Sequence, residues 1–262
     1  MADFTGGLAA RRIPAPSVVV GVEVVGLVTV PFALLLLPLR WDIEAMGLTF
    51  VGGAIGGFGL ILFYRAMALD LIGVVAPITA VIAAALPTVV GVFAGGERLH
   101  VGQGAGMVAG LLAIVLINAG GRASRRGART AVVLALIAGA TFGLFFVLYH
   151  AGSSAGVTAF VSGRLASLVV AFSYALISRV PVLPGRGSAR LITLAAVLDG
   201  SGVILYLYAT FNGLLSISAL LTSFYPAFTI LCARFFLHER LTATQAMGAV
   251  LAVAAVAAIA AT

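Results

Sequence analysis

One ten-residue pattern occurs twice in this chain: Glu97-Arg98-Leu99 followed by Gln103 and Gly106, and, 142 residues later, Glu239-Arg240-Leu241 followed by Gln245 and Gly248. In both places it joins one long apolar run to the next. An internal repeat fixes the architecture before any single element is assigned, so the chain reads as a duplication. The same offset lays Tyr64 over Tyr206.

Composition places the duplication in lipid. Of the 262 residues 62% are hydrophobic and only 9% are charged, and the mean hydropathy is +1.21. A helix crossing the hydrocarbon core needs about 20 mostly apolar residues, and the charged residues gather in the short stretches between runs of that length. The net charge of +7 comes from arginine alone, placed mainly between spans, where topology signals sit, which excludes a nucleic-acid partner. The single cysteine, Cys232, lies inside an apolar run and forms neither an internal disulfide nor a cysteine metal cluster.

Hydropathy, punctuated by Gly, Pro and Arg, predicts spans at 17–39, 47–69, 72–94 and 101–119, then, after Arg122, Arg125, Arg126 and Arg129, at 130–149, 155–179, 190–212, 216–237 and 242–261. The expected fold is an all-α integral membrane protein of about nine transmembrane helices. Shifting the second half back by 142 residues pairs its last four spans with the four of the first half and leaves 130–149 without a partner. Residues 1–121 and 130–262 are the two repeats, together one membrane domain, with the first helix of the first repeat missing. Five helices per full repeat is an odd number, so the two repeats enter the bilayer in opposite orientation, the inverted plan on which many secondary transporters are built. Residues 1–16 are not a signal peptide, because the apolar run after Arg11-Arg12 is of span length, contains Glu23 and belongs to the repeat.

The doubled segments Gly96-Glu97-Arg98-Leu99 and His238-Glu239-Arg240-Leu241, each before a Gly-rich or Ala-rich last helix, together with Ser223-Phe224-Tyr225-Pro226-Ala227-Phe228, resemble the EamA-type members of the drug/metabolite transporter superfamily. The resemblance covers nearly the whole chain. It implies ten helices in two five-helix repeats and movement of small metabolites, commonly outward. Two features depart from it. Asp3 to Pro16 look like the end of the family's first helix and the loop after it, as if the native start lay upstream of Met1, and Pro87 lies ten residues before Glu97 whereas Pro226 lies thirteen before Glu239.

Two orientations compete. With nine spans, Arg11, Arg12, Arg122, Arg125, Arg126, Arg129, Arg186 and Arg190 share one face, opposite Arg40 and Arg98. The positive-inside rule makes the arginine-rich face cytoplasmic, whereas the resemblance implies a cytoplasmic C-terminus. Charge is given precedence here.

Ionisable groups at membrane depth are costly and mark function by default. Glu23, Arg164 and Asp199 fall inside their spans, and the repeat offset puts Arg164 at the position of Val22, beside Glu23. An arginine among carboxylates suits a zwitterionic or anionic metabolite and responds to protonation; a static pair that locks helices together is the competing reading. Arg65 and Asp70 lie near a span end and read as interfacial. Glu97 and Glu239 start helices, where a carboxylate complements the helix dipole, so capping and loop anchoring are favoured over substrate contact.

Phe142, Phe145, Phe146 and Tyr149 form a stripe at helical spacing, read mainly as packing. The paired Tyr64 and Tyr206 are stronger candidates to line a path, because their hydroxyls need partners at depth. Gly102, Gly106 and Gly110, echoed by Gly248 and Ala252, make a face for close helix approach within the chain or in a homodimer. Gly52, Gly53, Gly56, Gly57 and Gly59 likewise permit packing or a bend and are no nucleotide loop. His100, His150 and His238 lack metal-ligand spacing, and no Gly-x-Ser-x-Gly elbow is present, so neither an enzyme nor a metal or other cofactor is expected. The expectation is a multi-pass protein of the cell membrane, in a bacterium the inner membrane, that carries a small polar or amphipathic metabolite. A lipid or lipid-linked-sugar flippase of the same fold and a non-transporting subunit that binds a partner are the alternatives.

Overall fold

Pro14 is the N-cap of the first long helix and Pro16 lies in its first turn, where a missing N–H costs no intrahelical bond and a fixed φ suits the helical start. The computed structural model describes residues 1–69, 72–95, 101–119, 125–183, 185–212 and 242–260. Among them α1 spans Ala2–Ala10, α2 Ala15–Gly26, α3 Val30–Leu36, α4 Ile43–Met67, α5 Ile72–Gly95, α6 Val101–Ala119, α7 Arg125–Ala151, α8 Val157–Ile177, α9 Ala189–Asn212 and α10 Ala243–Ala260. The protein is an all-α membrane protein, and five described helices are long and apolar enough to cross a bilayer: Ala15–Leu36, Ile43–Met67, Arg129–Ala151, Val157–Ile177 and Ala189–Phe211. Val28, Leu35, Val169, Leu176 and Leu205 stand exposed on these helices, as side chains do when lipid rather than water is the solvent.

Helices α2 and α3 make one span with a 3-10 turn at Leu27–Thr29. Pro31 lacks the N–H that would bond the Leu27 carbonyl, so the Val30 amide takes that carbonyl in a tighter turn. The Thr29 hydroxyl donates to the Gly26 carbonyl at 2.6 Å beside it.

Predicted and observed boundaries differ by a few residues, and local chemistry accounts for two of the differences. The span expected at 155–179 starts at Val157 because Gly156 adopts φ +61 and pairs with Leu39, where a Cβ would run into the Pro38 carbonyl. The helix that holds the span expected at 130–149 begins at Arg125, ahead of its apolar part Arg129–Ala151, so Arg125, Arg126 and Arg129 belong to the start of α7 and not to a loop. Asp70, Glu97, Arg98, Arg122, Cys232, Glu239 and the Pro226 segment, with the span expected at 216–237, lie outside the described residues.

Helix α4 packs against α7 and α8, α9 against α1 and α2, α2 against α8, and α6 against α10. The α6–α10 contact occupies the small-residue face: Gly106, Gly110, Gly248 and Ala252 are buried, and a Cβ at Gly110 would meet Val81 at 2.8 Å and Ala255 at 3.8 Å. The face that suggested a homodimer is therefore covered within the chain. The Gly cluster of α4 is a packing surface, since a Cβ at Gly52 would meet Leu148 of α7 at 3.0 Å, one at Gly56 would meet Phe145 at 2.7 Å, and one at Gly53 would fall on the backbone of Gly163 in α8.

Contacts between loops sort the two ends of the bundle. The Ser17 hydroxyl donates to the Pro181 carbonyl, tying the start of α2 to the α8–α9 connection. At the other end the Val157 amide donates to the Pro38 carbonyl at 3.0 Å, and Thr158 donates to the Arg40 carbonyl at 2.5 Å. There Asp42 caps α4 by accepting from the Ala45 amide at 3.0 Å and from the Ser154 hydroxyl at 3.0 Å.

The Ala45 amide first, then the Ser154 hydroxyl, hold the Asp42 carboxyl below its ordinary range. A depressed carboxylate pKa stabilises the fold above the unfolded-state pKa, and that contribution is lost as pH falls through the folded value. Asp42→Ala is expected to lower the melting temperature at pH 7, with the gap from wild type closing once the pH drops below the carboxylate range. Paired thermal melts in detergent at pH 7 and pH 3 check this.

Candidate functional site

Three of the five predicted site residues meet at one point. Arg164 of α8 reaches Glu23 of α2 through Nη1, 2.7 Å from Oε2, and Asp199 of α9 through Nη2, 2.6 Å from Oδ2. The other Glu23 oxygen accepts from the Ser167 hydroxyl at 2.6 Å, one helical turn beyond Arg164. One turn before it the guanidinium lies over the Phe160 ring, 5.3 Å from the centroid. Glycines on both flanking helices make room for this planar group: a Cβ at Gly26 would sit 3.0 Å from Nη1, and one at Gly200 would sit 3.3 Å from Nη2.

Burial separates the two carboxylates. The side chains of Arg164 and Glu23 are 4% and 5% exposed, while that of Asp199 is 24% exposed. Removing both members of an ion pair from water costs several kcal/mol per ion, which good geometry and further hydrogen bonds must offset. Glu23 has both, in Arg164 and Ser167, and presents little of its surface to its surroundings. Asp199 uses one oxygen on Arg164 and turns its remaining surface to open space.

That space is a cavity of about 860 Å³ bordered by α1, α2, α4, α7, α8 and α9. Its volume falls within the range of small-molecule sites, roughly 300–1,000 Å³. The charged triad lies on its wall with Ser167 and Asp3. Opposite chemistry comes from α7, where Phe142, Phe145, Phe146 and Tyr149 line it, and from α9, which adds Tyr206 and Tyr208. The α7 stripe, read from the sequence mainly as packing, thus also forms a wall. Its rings pack on one another, Phe145 and Tyr149 with centroids 4.0 Å apart and Phe145 and Phe146 5.3 Å apart. Gly53, Gly56 and Gly57 of α4 supply a floor without side chains.

Tyr206 lines the cavity, and its hydroxyl donates to the Phe146 carbonyl at 2.7 Å, joining α9 to α7. Tyr64, its counterpart in the repeat, does not border the cavity. It is fully buried in the core, its ring pressed against Gly6 of α1, and among the described residues its hydroxyl has no hydrogen-bond partner. The repeat offset matches positions along two helices but does not give them equal surroundings. Arg65 is exposed and donates to the Tyr174 hydroxyl at 2.7 Å, as an interfacial arginine does. Ser167 and Asp3 were not singled out from the sequence. Ser167 follows Arg164 at helical spacing, which was the available signal; nothing in the sequence marked Asp3.

These features define an all-helical, multi-pass membrane protein with a charged and aromatic cavity inside the bundle. The model of the EamA-like transporter family matches residues 129–261. The match covers just over half of the chain, which belongs to that family and is a membrane transporter of the drug/metabolite type. A solved crystal structure, titled only as that of a protein, has a similar fold, with a TM-score of 0.66 at 19% sequence identity over 98% of this chain and 96% of that one. No curated protein sequence matches significantly.

Proposed function

We propose that the protein is a secondary transporter that moves a small polar or amphipathic metabolite outward in exchange for protons. Glu23, Arg164 and Asp199 carry recognition and coupling, and Tyr206 borders the path. The observation that carries this reading is the Arg164 guanidinium holding carboxylates from two other helices on the wall of a cavity large enough for a metabolite. The Arg164–Glu23 bridge joins the two halves of the chain, while the Arg164–Asp199 bridge lies within the second half. A proton taken by Asp199 from the cavity would release Nη2 and loosen α9 from α8 without breaking the bridge to Glu23.

Two inverted repeats support alternating access around such a site. A shift of 142 residues carries α8, Val157–Ile177, onto residues 15–35, the α2–α3 span, and carries α10, Ala243–Ala260, onto residues 101–118 of α6. Exchange of the halves also turns the α4–α7 and α4–α8 contacts into the α1–α9 and α2–α9 contacts. Rocking of one half against the other would expose the cavity to either side in turn.

Export is tested by comparing metabolites in the medium of cells making wild type, Asp199→Asn or neither, at matched protein levels. The expected result is a compound exported by wild type and reduced about tenfold or more in the variant, the scale of losing one hydrogen bond to a charged group. Equal export by both would leave the transporter and remove Asp199 from its mechanism. Wild type indistinguishable from empty cells would count for a partner-binding subunit.

For orientation, charge is the guide. Arg11, Arg12, Arg129, Arg179 and Arg190 lie toward the end of the bundle that holds the α8–α9 connection, whereas Arg40 at the opposite end is accompanied by Asp42 and Glu44. The arginine-rich end is assigned to the cytoplasm. Gly185→Cys in a Cys232→Ser background should resist an impermeant maleimide on intact cells and react after lysis; reaction on intact cells reverses the assignment.

A further inference from the structure

We infer that the cavity selects a cation: an organic amine whose ammonium group pairs with Asp199 and whose apolar body lies on the aromatic wall. The inference rests on the transport-site reading above and names its substrate class. An arginine at this depth would by itself suggest an anionic or zwitterionic ligand, yet Arg164 is already committed. Its two terminal nitrogens are on Glu23 and Asp199, its face is on Phe160, and its side chain is only 4% exposed. An incoming anion would have to displace a carboxylate from it.

Among the described lining residues Asp3, Glu23 and Asp199 face Arg164 and the Met1 amino group, which offsets Asp3, so one carboxylate is in surplus, that of Asp199. Glu23 and Arg164 neutralise each other. Asp199 keeps a quarter of its side chain open, and among the described residues its Oδ1 accepts no hydrogen bond. A low-dielectric cavity with surplus negative charge attracts a cation and repels an anion. Phe142, Phe145, Phe146 and Tyr149 add aromatic and apolar contact area for the body of the ligand. A charge with a single apolar body fits that combination better than a polyamine or a sugar.

The test uses the purified full chain in detergent with three probes of similar shape: 2-phenylethylamine, the anion 3-phenylpropionate and the zwitterion phenylalanine. Radiolabelled amine is expected to bind wild type, to bind Asp199→Asn about tenfold or more weakly, as for a lost charged hydrogen bond, and to recover with Asp199→Glu. Neither the anion nor the zwitterion should compete. Binding of the anion or zwitterion in preference to the amine overturns cation selectivity and leaves the cavity as the transport site. Amine binding that ignores Asp199→Asn, or its absence from a wild-type sample with a normal thermal melt, overturns the inference as well. Export of a metabolite in the cell assay judges the site independently, so failure of the two readings can be told apart.

Discussion

Arg164→Met is expected to destabilise the protein by about 3–5 kcal/mol, the usual consequence of stripping a buried carboxylate of its partner. Methionine fills a similar volume, so the loss is electrostatic and not one of packing. Glu23 would be left 5% exposed, with only the Ser167 hydroxyl to satisfy its charge. Asp199, already open to the cavity, would suffer less. Adding Glu23→Gln to Arg164→Met should therefore restore most of the stability while leaving transport absent. Arg164→Lys should fall between, because one ammonium cannot reproduce two fixed N–H directions toward carboxylates on different helices. Thermal midpoints of detergent-purified protein, followed by monodisperse fraction on size exclusion, measure all three. A single variant that melts with wild type would mean that Glu23 is not held by the bridge, and the triad would lose its structural role.

Gly53→Leu is expected to cost about 1–3 kcal/mol or more, the range of overpacking a tight interior, and to abolish transport. At this crossing α4 and α8 approach backbone to backbone, and any Cβ at Gly53 would lie 2.1 Å from the Gly163 carbonyl oxygen. One turn on, a Cβ at Gly57 would lie 2.8 Å from the Cα of Ser167. A backbone cannot swing aside as a side-chain tip can, so the helices must separate. Gly163 precedes Arg164, and Ser167 donates to Glu23, so a displaced α8 takes both groups away from the carboxylate. Gly47 lies on the same helix, and a Cβ there would meet nothing within 4 Å. Gly47→Ala should be neutral, or more stable by up to about 1 kcal/mol from helix propensity. Equal melting temperatures for Gly53→Leu and wild type would rule out the close crossing.

The sequence by itself determined the membrane setting, the position of most helices and the placing of Glu23, Arg164 and Asp199 within apolar spans. Spans of lipid length are legible because hydrocarbon tolerates no unsatisfied backbone, which leaves long apolar helices as the means of crossing for a chain like this. Glu23, Arg164 and Asp199 stood out for the same reason, since a charge at that depth must find a partner or a wet cavity. What hydropathy does not report is which way a side chain points around its helix, because both the lipid-facing and the protein-facing sides of a span are apolar. Tertiary structure alone decided that the three charges converge on one guanidinium, that the α7 stripe lines a cavity, that Tyr206 borders it while Tyr64 is sealed in the core, and that the Gly face of α6 is spent on α10. Those outcomes depend on the rotation and crossing of helices far apart in the chain, set by where glycines let backbones touch.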